Sequence, residues 1–197
     1  LYGQPRQAGK PAGFEGVGKI VAAGPGKLAQ SMKGSRVAFG ATPTGSGTWA
    51  PFAVTDAPAC IPLIPEVRDE DGAAMIVNPL TALSFLETMR MEGHTAIVHT
   101  AAASNLGQML NKICQADGVD LVNIVRREEQ AEILRGLGAK YIVDSSKDSF
   151  MADLTNAVHE TGATLAFDAT GGGNLADSIL TAMEKAAART PSAYSIY

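Results

Sequence analysis

From Thr95 onward the sequence alternates short apolar runs with stretches of helical periodicity, and this constrains the fold more than any other feature. Ala96-Ile97-Val98-His99 reads as a strand. Residues 106–115 carry helical spacing at Leu106, Met109, Leu110 and Ile113. Residues 121–125 form a second strand, and 128–137 a helix closed by Gly138. The unit then repeats, with a strand at 141–143, a helix at 150–159, a strand at 164–167 and a helix at 175–187. Strands joined through helices of about ten residues demand right-handed crossovers and a parallel sheet, an α/β fold of the Rossmann type. The two-halved dinucleotide fold has about six strands, so the sheet is expected to be incomplete at Tyr197.

The preceding residues have a different texture. Gly and Pro recur every few positions from Gly3 to Pro65, between apolar runs at 17–23, 36–39 and 51–54, as in a β-rich module with tight turns. Gly16, Gly18, Gly24 and Gly26 are expected at positive φ or at bulges, and Lys33-Gly34-Ser35 as the turn into the next strand. Asp69-Glu70-Asp71 places negative charge where a helix begins; Asn78-Pro79 then interrupts, and a second helix runs over 80–91. Two domains are expected, a β-rich one over 1–68 and a dinucleotide-binding one over 69–197.

Composition removes several alternatives. Sixteen Lys and Arg against twenty Asp and Glu leave a net charge of −4, without the electrostatic footprint that nucleic acid or anionic lipid requires. The most apolar stretch, 72–86, is broken by Asn78, Pro79 and Thr81 and falls short of the roughly 20 residues of a membrane span. Cys60 and Cys114 have no His or Cys neighbours at ligand spacing, so neither a zinc knuckle nor a disulfide framework is expected, and the cell interior is the expected compartment. The first residues read as the interior of a longer chain.

The chemistry concentrates at strand ends. The loop Thr100-Ala101-Ala102-Ala103-Ser104-Asn105-Leu106-Gly107-Gln108 follows the first strand. In the G-x-G-x-x-G frame it reads Ala102-x-Ser104-x-x-Gly107, with only the third glycine kept. Small residues let the backbone approach a pyrophosphate, Gly107 lets helix and strand pack closely, and the helix N-terminus offers N–H groups to an anion. The same residues also suit an ordinary tight turn capped by Ser104 or Asn105. About twenty residues further on, where such folds place the group that reads the ribose, stand Arg126 and Arg127. Two guanidinium groups there favour a 2′-phosphate, hence NADP; the alternative is a pair of surface arginines bound to the glutamates among residues 128–132.

Six motifs in order resemble the medium-chain dehydrogenases/reductases: Gly13-Phe14-Glu15-Gly16-Val17-Gly18, Gly47-Thr48-Trp49-Ala50, Asn78-Pro79-Leu80-Thr81-Ala82, the loop 102–108, Leu137-Gly138-Ala139, and Phe167-Asp168-Ala169-Thr170-Gly171-Gly172. The chain is most similar to the zinc-independent quinone oxidoreductase and enoyl thioester reductase branches, over residues 13 to about 180. The resemblance implies the later part of a GroES-like barrel followed by a Rossmann domain. It also implies NADPH as cofactor, held by Asn78, Thr81, Ala102, Ala103, Ser104, Asn105, Leu106, Gly107, Arg126, Arg127 and the loop Asp168, Ala169, Thr170 and Gly171.

The implied reaction is hydride transfer to a small-molecule substrate, a quinone, enone or related conjugated carbonyl compound, by a homodimer joined at the edge of its sheet. A 2-enoyl thioester reductase and a non-catalytic NADPH-binding sensor are the alternatives. Zinc-dependent relatives have His where this chain has Phe14, which cannot ligate a metal, so no metal is expected. Glu15 and the histidines 94, 99 and 159 are read as structural, and Trp49 as cleft wall or barrel core. These residues name no proton donor.

Overall fold

The structure is a computed structural model that describes residues 11–189. It divides into two compact units, Leu1–Leu80 and Thr81–Tyr197.

In the first unit, β1 (Glu15–Lys19) is followed by a short helix α1 (Lys27–Ser31), then β2 (Arg36–Gly40), a 3-10 turn (Ala57–Ala59), β3 (Cys60–Pro62) and the single turn α2 (Asp69–Gly72). The strands form an antiparallel sheet in the order β1-β2-β3. The expected turn at 33–35 closes the first hairpin. Gly34 adopts φ +87°, where a side chain would be strained, and its N–H donates to the Ile20 carbonyl at 2.9 Å. The anticipated positive φ at Gly16 and Gly18 is not observed. Both lie in regular register opposite Phe39 and Val37. A Cβ on Gly16 would sit tightly, 3.3 Å from the Thr48 Cβ and 3.4 Å from the Phe39 ring, whereas one on Gly18 would make ordinary contact at 3.7 Å. Gly24 and Gly26 are likewise absent from the positive-φ positions.

The apolar run 51–54 is not a strand. Its last residue instead pairs with a loop, because Val54 donates its N–H to the Ser46 hydroxyl and accepts the Ser46 N–H through its carbonyl. Cys60–Pro62 takes the third place beside β2. Arg36 ties β2 to the chain beyond it, donating to the carbonyls of Ile64 and Val67 and lying 3.5 Å from the Asp69 carboxylate.

The helix α3 (Val77–Met91) corrects a second expectation. It starts before Asn78-Pro79 rather than after, because proline in the first turn lacks only an N–H that has no intrahelical acceptor there. Thr81 is therefore inside the helix and not its cap. The division between the two units falls at Leu80, one turn into α3.

The second unit is an α/β layer structure. Its elements are β4 (Ala96–His99), α4 (Asn105–Asp117), β5 (Asp120–Val125), α5 (Glu128–Gly136), β6 (Tyr141–Asp144), α6 (Phe150–Thr161), β7 (Leu165–Phe167) and α7 (Leu175–Ala187). All four strands are parallel, in the order β6-β5-β4-β7. Successive residues of β4 are buried on opposite faces. Ala96 and Val98 join Val122, Ile124, Leu154, Val158 and Ile179 in one core, while Ile97 joins Leu86, Leu110, Cys114 and Leu121 in the other. A strand covered on both sides has no polar face to show, which explains its uniformly apolar sequence. Each large side chain buried in this way contributes about 1.5–3 kcal/mol.

Candidate dinucleotide site

The loop from β4 into α4 is built by three local devices. Ala102 is fully buried and its N–H donates to the Ile124 carbonyl at 3.2 Å, which pins the loop against β5. Ser104 caps α4, its hydroxyl accepting the Gly107 N–H at 3.2 Å. Gly107 sits so close to the preceding turn that an added Cβ would lie 2.2 Å from the Ala102 carbonyl oxygen. The loop is therefore a capped tight turn in which the packing of Gly107 against Ala102 leaves no room for a side chain. Among the described residues nothing accepts from the N–H groups of Asn105 and Leu106, the first of α4. Ala101 adopts φ +51°, a left-handed conformation that its sequence position does not announce.

Arg126 and Arg127 follow β5 directly, and Arg127 is the N-cap residue of α5. Both are exposed. The Arg126 N–H donates to the Gln130 side chain at 3.0 Å. Glu128, the next residue in the chain, is engaged elsewhere, 2.7 Å from Arg135 and 3.3 Å from Lys147, and these cations hold its carboxyl below the usual range. Among the described residues no carboxylate pairs with either guanidinium. Beside them, the N–H and hydroxyl of Ser145 both donate to the Val125 carbonyl. The Asp144 carboxylate accepts the Ser146 N–H and hydroxyl, which lowers its pKa.

The loop after β7 is organised by Asp168. Its carboxylate accepts the Thr100 hydroxyl at 2.6 Å and the N–H groups of Thr170 and Gly171, and these bonds keep it ionised below the normal carboxylate range. Asp168, Ala169, Thr170 and Gly171 are all exposed. Within the same layer, His99 is fully buried. Its Nδ1 donates to the Phe167 carbonyl at 3.2 Å, while Nε2 has no partner among the described residues, and burial pushes its pKa down. Phe85 stacks on Phe167 with ring centroids 3.8 Å apart. His94 bonds the Thr164 hydroxyl.

Ala102 to Gly107, Arg126 with Arg127, and Asp168 to Gly171 thus share one edge of the sheet, beyond the carboxyl ends of β4, β5 and β7. Asn78 and Thr81 stand near the start of α3, Asn78 in its first turn. Asn78 lines a cavity of about 730 Å³ within the first unit, together with Gly13, Phe14, Thr48 and Trp49. Trp49 is 78% exposed, so it is not barrel core. Glu15 is structural: its carboxylate accepts the N–H groups of Ile76 and Val77 at 3.2 and 2.9 Å, where α3 starts. Thr100 was legible only as part of a loop. Its partner Asp168 is 68 positions away, so no local pattern announces the pair.

A family model described as zinc-binding dehydrogenase matches residues 105–189. Among the described residues no three His, Cys, Asp or Glu side chains come together to hold a metal ion. A crystal structure from Mesorhizobium loti, described as that of an NADPH:quinone reductase by assignment, is 44% identical, with a TM-score of 0.85 over 92% of this chain and 52% of its own. The mitochondrial enoyl-[acyl-carrier-protein] reductase of Arabidopsis thaliana is 30% identical over 140 residues, 68% of this chain and 36% of that protein. The Escherichia coli quinone oxidoreductase, solved with NADPH, shares the fold at 17% identity, with a TM-score of 0.73 over 90% of this chain and 54% of its own. The chain thus spans about half the length of these structures and about a third of the curated relative.

Proposed function

Because the chain belongs to the medium-chain dehydrogenase/reductase superfamily, we propose that it is part of an NADPH-dependent oxidoreductase that reduces a quinone, enone or related conjugated carbonyl compound without zinc. The observation that carries this reading is the pair Arg126 and Arg127, exposed after β5 and without carboxylate partners among the described residues, on the strand next to the one that leads into the Gly107 loop. NADPH supplies the hydride. The protein holds the pyrophosphate at the free N–H groups of Asn105 and Leu106, over the small residues Ala102, Ala103 and Ser104. Arg126 and Arg127 grip the 2′-phosphate, and Asp168, Ala169, Thr170 and Gly171 present backbone to the cofactor. Asn78 and Thr81 complete the cofactor contacts in this proposal. What remains for catalysis is positioning of the two reactants and stabilisation of the developing enolate by hydrogen bonds.

In the same reading, residues 1–68 are the later part of a GroES-like substrate domain, residues 69–197 a Rossmann domain, and the working protein a homodimer in the cytoplasm. Among the described residues no helix is long and apolar enough to cross a membrane. A 2-enoyl thioester reductase is the second reading, favoured by the similarity to the mitochondrial enoyl-[acyl-carrier-protein] reductase. The test is NADPH oxidation by the full-length protein with a panel of quinones, enones and 2-enoyl thioesters. Turnover of quinones or enones supports the first reading and faster turnover of thioesters the second. NADPH binding without turnover of any would leave a non-catalytic binding protein.

A further inference from the structure

The chain leaves β4 toward β5 and β6 on one side and returns with β7 on the other. The order of the strands therefore reverses between β4 and β7. In open parallel sheets this is where the ends of two neighbouring strands part and a ligand enters. One fully buried side chain spans that point. Thr100 follows the last residue of β4, has no exposed surface, and donates its hydroxyl to the Asp168 carboxylate at 2.6 Å. The same oxygen accepts the Ala169 N–H at 2.8 Å, and the Thr170 N–H and hydroxyl at 3.3 Å. The Thr100 N–H donates to the Phe167 carbonyl at 3.2 Å. The loop after β7 is thus wrapped around a single hydroxyl that belongs to the phosphate-loop strand. Beyond it the chain runs through Gly171, Gly172 and Gly173, all at positive φ, so the glycines themselves add little stiffness.

We propose that Thr100 is a positioning residue that holds residues 168–171 in place against the nicotinamide half of the bound dinucleotide, without touching the cofactor. The inference rests on the NADPH reading above. With the pyrophosphate at α4 and the 2′-phosphate at the end of β5, the adenosine half lies on the β5 side, and the remaining half of the cofactor falls on the β7 side, where Thr100 acts. Removing the hydroxyl while keeping the shape takes the Thr100 donor from the Asp168 carboxylate and the acceptor from the Ala169 N–H, and leaves the Thr170 N–H only its bond to Asp168. The loop then loosens on one side of the site only.

The test uses the full-length protein and two probes, NADPH and 2′,5′-ADP, the second carrying only the adenosine half. Thr100→Val is expected to weaken NADPH roughly tenfold and to leave 2′,5′-ADP within about twofold, while Thr100→Ser restores NADPH affinity. A merely structural hydroxyl would weaken both probes alike, and that result overturns the proposal, as do unchanged NADPH binding and a failure of Thr100→Ser to restore it. Should Thr100→Val not fold, Asp168→Ala removes the other partner of the same bond from an exposed position, and the same split between the two probes is required of it. Wild-type protein that binds neither probe would overturn the cofactor reading itself, an outcome distinct from equal weakening in the variants.

Discussion

The two units bury their apolar residues very differently. Among the described residues, Val37 and Ala38 are the buried apolar positions of the first unit; all the others, from Ala82 to Ala186, belong to the second. The first unit instead displays Trp49, Phe52, Val54 and Ile64 on its surface. Three short antiparallel strands and long connecting loops stay in register through hydrogen bonds such as those of Arg36, Glu15 and Ser46. In the second unit, four parallel strands lie between two helical layers, each with its own core. Stability should therefore respond to side-chain volume in the second unit and hardly at all at the exposed aromatics of the first.

The largest expected effect tests that contrast directly. Leu110→Ala empties a fully buried position of the second unit and should cost about 2–5 kcal/mol. Phe52→Ala, at a side chain 79% exposed, should change stability by no more than about 0.5 kcal/mol. Denaturant unfolding of both variants would make the comparison, and equal losses would break it. Next in size is Gly107→Ala. The new methyl meets the Ala102 carbonyl oxygen at 2.2 Å, so α4 or the loop must shift. A loss of about 1–3 kcal/mol is expected, together with weaker NADPH binding measured by fluorescence titration.

The smallest effect concerns His99. Burial lowers its pKa from the ordinary 6.5, against smaller opposing contributions from the Phe167 carbonyl and the Asp168 carboxylate. The unfolded chain thus takes up the proton first as pH falls. The neutral ring's contribution is complete above pH 6.5 and declines below it, by at most about 1.4 kcal/mol per pH unit, until the folded protein is itself protonated. Melting temperatures between pH 8 and pH 5 should fall in the wild type, and His99→Gln should flatten the decline.

The same contrast explains what could be read in advance. Strands β4 and β5 are buried on both faces and so are written as continuous apolar runs, while α4 and α5 show their inner faces at helical spacing. The elements of the second unit therefore stood in the sequence within a residue or two. The first unit was harder. Cys60-Ile61-Pro62 has no alternation and ends in proline, yet it pairs with β2, while the more apolar run 51–54 stays outside the sheet. The places of Arg126 and Arg127 after β5 and of Gly107 in the turn into α4 were legible because a turn or a strand end is a local matter. The bond between Thr100 and Asp168, and the seating of Glu15 beneath α3, join residues 68 and about 60 positions apart, and no local pattern encodes them.

The central claim is that the carboxyl edge of the second unit is an NADPH site read by Arg126 and Arg127, and titration of full-length protein with NADPH and NADH tests it most directly. Wild type should prefer NADPH. The double variant Arg126→Ala, Arg127→Ala should lose roughly ten- to hundredfold in NADPH affinity while NADH binding stays nearly constant, because only the 2′-phosphate loses its partners. Equal weakening of both nucleotides, or no change in either, would contradict the claim.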